Sequence, residues 1–139
     1  MHHPQTSIAI DRVVEWVDTD AAGHHHNSVI IRWVEAAEAE LMRRLGLPDY
    51  FPTAPRVQQI VNFREKLRFG QGVSVHLWVE RVGSSSLTLG FEVAGRPSDG
   101  GPARTAADGS VTTVHVPYGA AGSTPWPEAV RAVLTAEPR

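Results

Sequence analysis

From Val29 to Leu45 the apolar residues Val29, Ile30, Trp33, Ala37, Leu41 and Leu45 recur three or four positions apart, while Arg32, Glu35, Glu38 and Arg43 fall elsewhere. That spacing follows the period of an α-helix and predicts one long amphipathic helix with an apolar stripe. Asn27 or Ser28 can cap its start, and Gly46 followed by Pro48 ends it, because glycine accepts the left-handed conformation past the last turn and proline cannot continue the ladder. Beyond a connection containing Pro48, Pro52 and Pro55 the period changes to two. Val57 to Arg68 reads as a strand closing on Phe69-Gly70-Gln71-Gly72. Val73, Val75, Leu77 and Val79 alternate with Ser74, His76, Trp78 and Glu80, and Leu87, Leu89, Phe91 and Val93 alternate with Thr88, Gly90, Glu92 and Ala94. Gly83-Ser84-Ser85 joins these two strands as a tight hairpin, and Gly95 to Gly101 turns into a last strand over Ala103–Val116. At the two ends of the chain, Thr6–Val17 is rich in β-branched residues and reads as a first strand, and Pro127–Leu134 reads as a short helix.

The predicted order is a strand, a long helix, then four strands. One economical packing buries both apolar surfaces: an antiparallel sheet of about five strands wrapped around the helix, an α+β domain spanning residues 1–139. Such an open sheet leaves unpaired edges, and native proteins cover or pair those, so self-association is expected.

Composition narrows the function. The chain has 139 residues, 42% hydrophobic and 20% charged, with 13 Lys+Arg against 15 Asp+Glu. That length fits one core and one site, and the net charge of -2 gives no positive field for nonspecific nucleic-acid binding. With no cysteine, disulfides, thiolate metal sites and a thiol nucleophile are excluded. No stretch approaches a membrane span and the first residues lack a signal-peptide pattern, so a cytoplasmic protein without membrane contact is expected.

The densest polar cluster is Asp18-Thr19-Asp20-Ala21-Ala22-Gly23-His24-His25-His26-Asn27-Ser28, between the first strand and the helix start. The first N–H groups of a helix lack intrahelical partners and sit at the positive end of its dipole, so they can stabilise a developing oxyanion. A nearby carboxylate can attack a carbonyl or deprotonate a water. Together these are the parts of an acyl-transfer site. On the residues alone the simpler reading is that Asp18 and Asp20 merely order the turn while Asn27 caps the helix, and position alone does not settle it. Three successive histidines in one loop cannot easily converge on one ion, so no metal and no cofactor are expected.

The run from Val14 to Gly46, with Asp18, Asp20, Gly23, His24, Asn27 and Glu35 in register, resembles the opening of the hotdog-fold acyl-CoA thioesterases of the 4-hydroxybenzoyl-CoA thioesterase type. Leu67-Arg68-Phe69-Gly70, Val82-Gly83-Ser84-Ser85-Ser86-Leu87 and Pro127-Glu128 also resemble the family pattern, so the likeness covers nearly the whole chain. It implies a hotdog fold, Asp20 as nucleophile or general base on a thioester, Asp18 as a structural residue, backbone donors at Asn27 and Ser28, and His24 beside them in the site. The substrate it implies is an acyl thioester of coenzyme A or of an acyl carrier protein. Two departures stand out: His25 and His26 replace an Asn or an aromatic residue, and the hairpin carries Ser84 and Ser85 with only Arg81 before it where relatives have basic residues.

Remaining candidates have weaker signals. Arg56, Arg64, Lys66 and Arg68 against Glu65 leave a local excess of +3 that can attract carrier phosphates, or can be an ordinary solvated face. Trp16, Trp33 and Trp78 suit a core or a subunit interface, and Trp33 can also line an acyl pocket. His76 and His115 fall in strands and read as hydrogen-bonded sheet residues, and Glu35, off the stripe, reads as a surface or interface ion-pair residue. The reading is a thioester hydrolase working as a homo-oligomer, a dimer or a dimer of dimers. Its rivals are a hotdog dehydratase, a non-catalytic acyl-thioester-binding protein, and a small interaction protein using its sheet for assembly.

Overall fold

A computed structural model describes residues 6–136. Strand β1 (Ser7–Val13) passes through a 3-10 turn at Trp16–Asp18 and the Asp20 loop into helix α1 (Asn27–Arg44). Then follow β2 (Arg56–Phe63), β3 (Gly72–Val82), β4 (Ser86–Gly95), β5 (Arg104–Val114) and the short α2 (Glu128–Leu134). The expected element order is the observed one. All pairings are antiparallel in one five-stranded sheet of order β1-β3-β4-β5-β2. No described helix is long and apolar enough to cross a membrane.

Two strands end earlier than the β-propensity of their residues suggests, because backbone donors are captured elsewhere. The amides of Asp18 and Thr19 bond back to the carbonyls of Glu15 and Trp16 (2.9 and 3.1 Å), winding the end of the expected first strand into a turn. Past Phe63 the amides of Arg64 and Glu65 both converge on the Ala106 carbonyl (2.7 and 3.2 Å), so the ladder stops there rather than at Arg68.

The apolar stripe of α1 lies on the sheet, with Val29, Ile30, Trp33, Val34, Ala37, Leu41 and Met42 buried among Val73, Val75, Leu77, Leu87, Leu89, Phe91 and Val93 of β3 and β4. One member of this surface is a carboxylate. Glu38 is fully buried, accepting the Tyr50 hydroxyl (2.8 Å) and an Arg56 guanidinium nitrogen (2.6 Å). The Tyr50 oxygen also meets the Thr113 hydroxyl (2.9 Å), which completes a buried polar chain from α1 to β5. Burial and the neighbouring Glu38 charge push the Tyr50 phenol well above its ordinary range, so it stays a donor. Polarity alone groups Glu38 with the solvated positions, yet it stands four residues after Val34 and four before Met42, on a second buried ridge.

Strand register divides the molecule into two ends. At one, Ser86 of β4 faces Val114 of β5, Thr113 faces Arg56 of β2, and the C-terminus of α1 lies near. At the other, Gly95 faces Arg104 and Phe63 faces Ala107, next to the Asp20 loop and the start of α1. The edge strand β2 is held to the sheet by β5 alone, and its backbone closes on Gly109, where an added Cβ would lie 1.8 Å from the Ile60 carbonyl oxygen. Gly109→Ala is therefore expected to force β2 and β5 apart, with a loss of about 1–3 kcal/mol read from the denaturant midpoint.

Candidate active site

The Asp20 loop is a small hairpin. The Asp20 amide bonds the His24 carbonyl (2.8 Å), the Gly23 amide bonds the Asp20 carbonyl (3.0 Å), and Gly23 turns the chain at φ +80°, a conformation other residues rarely adopt. The Asp20 side chain takes part: Oδ1 accepts the amides of Ala22 (2.8 Å) and His24 (3.3 Å). Both bonds fall on one oxygen, so the carboxylate orders its own turn and still presents Oδ2 to the exterior. The Ala22 amide above all, with the His24 amide and the nearby His24 and Lys66 charges, holds its carboxyl below the usual range against the opposing effect of desolvation. An exposed, ionised carboxylate thus orders its own turn, as the turn-ordering reading of Asp20 expects, and shares a cleft with Asn27 at the helix start.

Asp18 is placed differently. It is buried, with Oδ2 accepting the Glu15 amide (2.8 Å) and Oδ1 meeting Arg32 of α1 (3.1 Å), while its carbonyl accepts the His26 amide (2.7 Å). Its role is to tie the loop to the helix.

The three histidines serve three different partners. His24 contributes through its backbone to the Asp20 turn and bridges Arg68, and its own Nδ1 is sealed without a hydrogen bond. His25 is buried; its amide donates to the Leu67 carbonyl (2.9 Å), its Nδ1 accepts the Leu67 amide (3.0 Å), and its ring stacks on Phe63 at 6.3 Å. His26 caps α1: its Nδ1 accepts the Ser28 amide (3.2 Å) and lies 2.9 Å from the Ser28 hydroxyl. The cap is therefore His26 rather than Asn27 or Ser28, because an unprotonated imidazole nitrogen can replace the usual side-chain oxygen acceptor. This also changes the candidate donors: the Ser28 amide is committed to the cap, and the Asn27 amide takes no part in it.

Asp20, His24, His25, Asn27, Phe63, Arg64, Glu65 and Lys66 line a cleft of about 260 Å3. Of the basic residues proposed to hold substrate, Arg64 and Lys66 reach this cleft and Arg68 adjoins it through the bridge to His24. Arg56, Arg81, Ser84 and Ser85 lie at the opposite end of the sheet, and Trp33 lines a separate cleft with Asp18, Arg32 and Arg96. The charge excess read over Arg56–Arg68 is reduced in space, where Arg56, Arg64 and Glu65 each meet an opposite charge. Arg56 is held by Glu38 and, at 3.8 Å, by Glu35; Arg64 forks onto Asp108 (3.2 and 3.1 Å); Glu65 is taken by Arg104 (3.2 Å). Cross-strand pairing put these partners out of reach of sequence spacing. Trp16, expected in a core or interface, is 70% exposed and packs edge-on against Phe69. His115 lies just past β5, and its Nδ1 has no hydrogen-bond partner, unlike the satisfied sheet residue expected.

Desolvation pushes the His25 pKa down, and its Nδ1 must stay bare to accept the Leu67 amide. The unfolded ring binds protons near pH 6.5 while the folded ring resists them, so stability is full above about pH 6.5 and falls as pH drops toward the lowered pKa. Denaturant unfolding between pH 5 and pH 8 is expected to register this fall. In His25→Val the decline below about pH 6.5 should flatten, while stability at pH 8 drops by about 1–3 kcal/mol for the orphaned Leu67 amide.

Comparison with known proteins agrees with this fold. Over 103 residues, 65% of this chain and 66% of the relative, the sequence is 28% identical to the 1,4-dihydroxy-2-naphthoyl-CoA hydrolase of Prochlorococcus marinus (strain NATL2A). The fold matches that of 4-hydroxybenzoyl-CoA thioesterase from Pseudomonas sp. strain CBS-3 with a TM-score of 0.81 at 16% identity, covering 92% of this chain and 99% of that one. It also matches a thioesterase of Thermus thermophilus solved with coenzyme A and zinc, with a TM-score of 0.79 at 25% identity over 92% and 97% of the two chains. The hotdog architecture expected from the resemblance is thus the one observed. Residues 14–134 match the model of one family, and the chain belongs to it: the thioesterase-like superfamily.

Proposed function

We propose that the protein hydrolyses an acyl thioester of coenzyme A, with Asp20 as the catalytic carboxylate. The observation that carries this reading is the exposed Asp20 Oδ2, kept ionised by two amides on Oδ1, in one cleft with Asn27 at the start of a long helix. The Asn27 amide, at the positive helix end, meets the thioester oxygen as it gains charge. Asp20 either removes a proton from an attacking water or attacks the carbonyl itself to give an anhydride that water then opens. In both routes a C–O bond forms, the C–S bond breaks, and the departing thiolate takes up a proton. Coenzyme A is favoured as carrier by the relatives named for CoA thioesters and by the Thermus thermophilus thioesterase solved with it. Lys66 and Arg68, which form no ion pair among the described residues, are the cations available to its phosphates at this end. A cytoplasmic setting goes with this substrate.

The cleft is small for such a substrate, since drug-sized ligands occupy about 300–1,000 Å3. A second copy of the chain supplies the missing wall. Strand β2 exposes Val57 (60%), Ile60 (43%) and Phe63 (50%), whereas the other edge, β1, carries Asp11 and Arg12 and is guarded by the Arg96 ion pair. An apolar, uncharged edge invites pairing and a charged one resists it. Two-fold antiparallel pairing of β2 with its copy sets the Phe63 end of one strand against the Arg56 end of the other, so each Asp20 cleft faces the partner's Arg56.

Asp20→Asn keeps the side chain's shape and removes its charge. Turnover on aromatic acyl-CoA thioesters, followed by thiol release, is expected to fall roughly 10²–10⁴-fold with KM little changed. Near wild-type turnover in the folded variant would reject Asp20, and binding without any thiol release by the parent protein would favour the acyl-binding alternative. Ile60→Glu places a charge on the pairing edge. Light scattering should then report monomers, and turnover should fall with the loss of assembly; an active monomer would reject the composite site.

A further inference from the structure

At the end of the sheet remote from Asp20, a second cavity of about 250 Å3 is lined by Leu47, Tyr50, His115, Trp126, Pro127 and Val130. Three aromatic rings stand in a row along it: the Trp126 ring lies 5.1 Å from His115 and 6.2 Å from Tyr50, to which it is nearly parallel at 14°. Each ring is fixed from behind. The His115 amide bonds the Ser85 carbonyl (2.8 Å), the Trp126 amide bonds Ser84 (3.0 Å), the indole N–H bonds Ser86 (3.0 Å), and the Tyr50 hydroxyl is held by Glu38 and Thr113. Such walls are formed before any ligand arrives, so little ordering is lost on binding.

His115 gives the cavity its polarity. The ring is only 9% exposed, and Nδ1 is sealed with no hydrogen-bond partner. A neutral imidazole keeps one nitrogen protonated, and an orphaned buried N–H is rarer than an orphaned acceptor. The proton therefore sits on Nε2, the nitrogen a ligand in the cavity can reach, as a donor without a protein acceptor. Among the described residues, Asp49 is the one charged member of the lining. A carboxylate there repels anions and accepts a hydrogen bond from a ligand N–H.

We propose that this cavity is a second binding site, separate from the thioester cleft, for a neutral planar molecule of one substituted aromatic ring carrying a carbonyl acceptor for His115, an aromatic carboxamide in chemical class. Size supports the limit: an apolar cavity of about 150 Å3 already holds benzene, so 250 Å3 accommodates a ring and a small polar substituent but no acyl-CoA. A lining that holds the Tyr50, Trp126 and His115 rings favours an aromatic ring over a puckered one.

Benzamide titrated into the whole protein, with the Trp126 indole N–H resonance assigned by Trp126→Phe, tests this directly. The expected result is saturable movement of that resonance with a Kd of roughly a millimolar or below. Benzoate, repelled by Asp49, and cyclohexanecarboxamide, which is not planar, should each bind at least about fivefold more weakly. His115→Phe preserves a ring and removes both nitrogens, and should weaken benzamide by about five- to tenfold while leaving thiol release unchanged. Val130→Trp, on the cavity wall of α2, should block binding outright and serves if His115→Phe does not fold. No shift up to roughly ten millimolar, an equal shift in the variants, or shifts centred on Asn27 instead would each overturn the proposal. The readout is binding, so it stands whether or not Asp20 proves catalytic.

Discussion

Helix α1 lies with its apolar stripe on the sheet, and Val29, Ile30, Val34, Ala37 and Leu41 are at most 2% exposed there. At about 1.5–3 kcal/mol for each fully buried large aliphatic side chain, this contact outweighs any single polar interaction in the chain. It also fixes an axis. With the helix clamped along its length, its N-terminus can only emerge beside the Asp20 loop and its C-terminus beside Tyr50 and Trp126, so both cavities sit at ends of the same buried rod. The dipole of an 18-residue helix is thereby delivered to one defined place.

What the helix leaves open, short-range hydrogen bonds close. Three ties fix the Asp20 loop: Asp18 to Arg32 and Glu15, His25 to Leu67, and Asp20 to its own turn. Each is a paired backbone or charged group, so the loop is fixed without burying the Asp20 carboxylate. The two acids differ by environment: Asp18 is 4% exposed and paired with Arg32, whereas Asp20 is exposed and bonds only its own turn.

The same economy of charge appears at the other end. Glu38 lies within an otherwise apolar surface, and its pairing with Arg56 and Tyr50 removes the penalty that an isolated buried carboxylate would carry. In consequence Arg56 is an anchor for β2 before it is anything else, and the exposed apolar edge of that strand is held in a defined position where a second copy can meet it.

Element order, the α+β class, the single long helix and the place of the Asp20 loop before it were all legible in the sequence, because they follow from local periodicity, capping and turn chemistry that act over a few residues. Glu38 was legible too in principle, since the Val34-Glu38-Met42 spacing marks a buried ridge, but polarity alone assigns it to solvent. Other features depended on distant segments meeting. Arg64 is paired with Asp108, Glu65 with Arg104, and Arg56 with Glu38, all across strands or between helix and strand. Arg81, Ser84 and Ser85 were carried to the far end by the length of β3, and His26 took the capping role because the Asp18 carbonyl fixed its backbone. Charge compensation and burial depend on three-dimensional neighbours, and in an antiparallel sheet those neighbours are set by register, which no local pattern encodes.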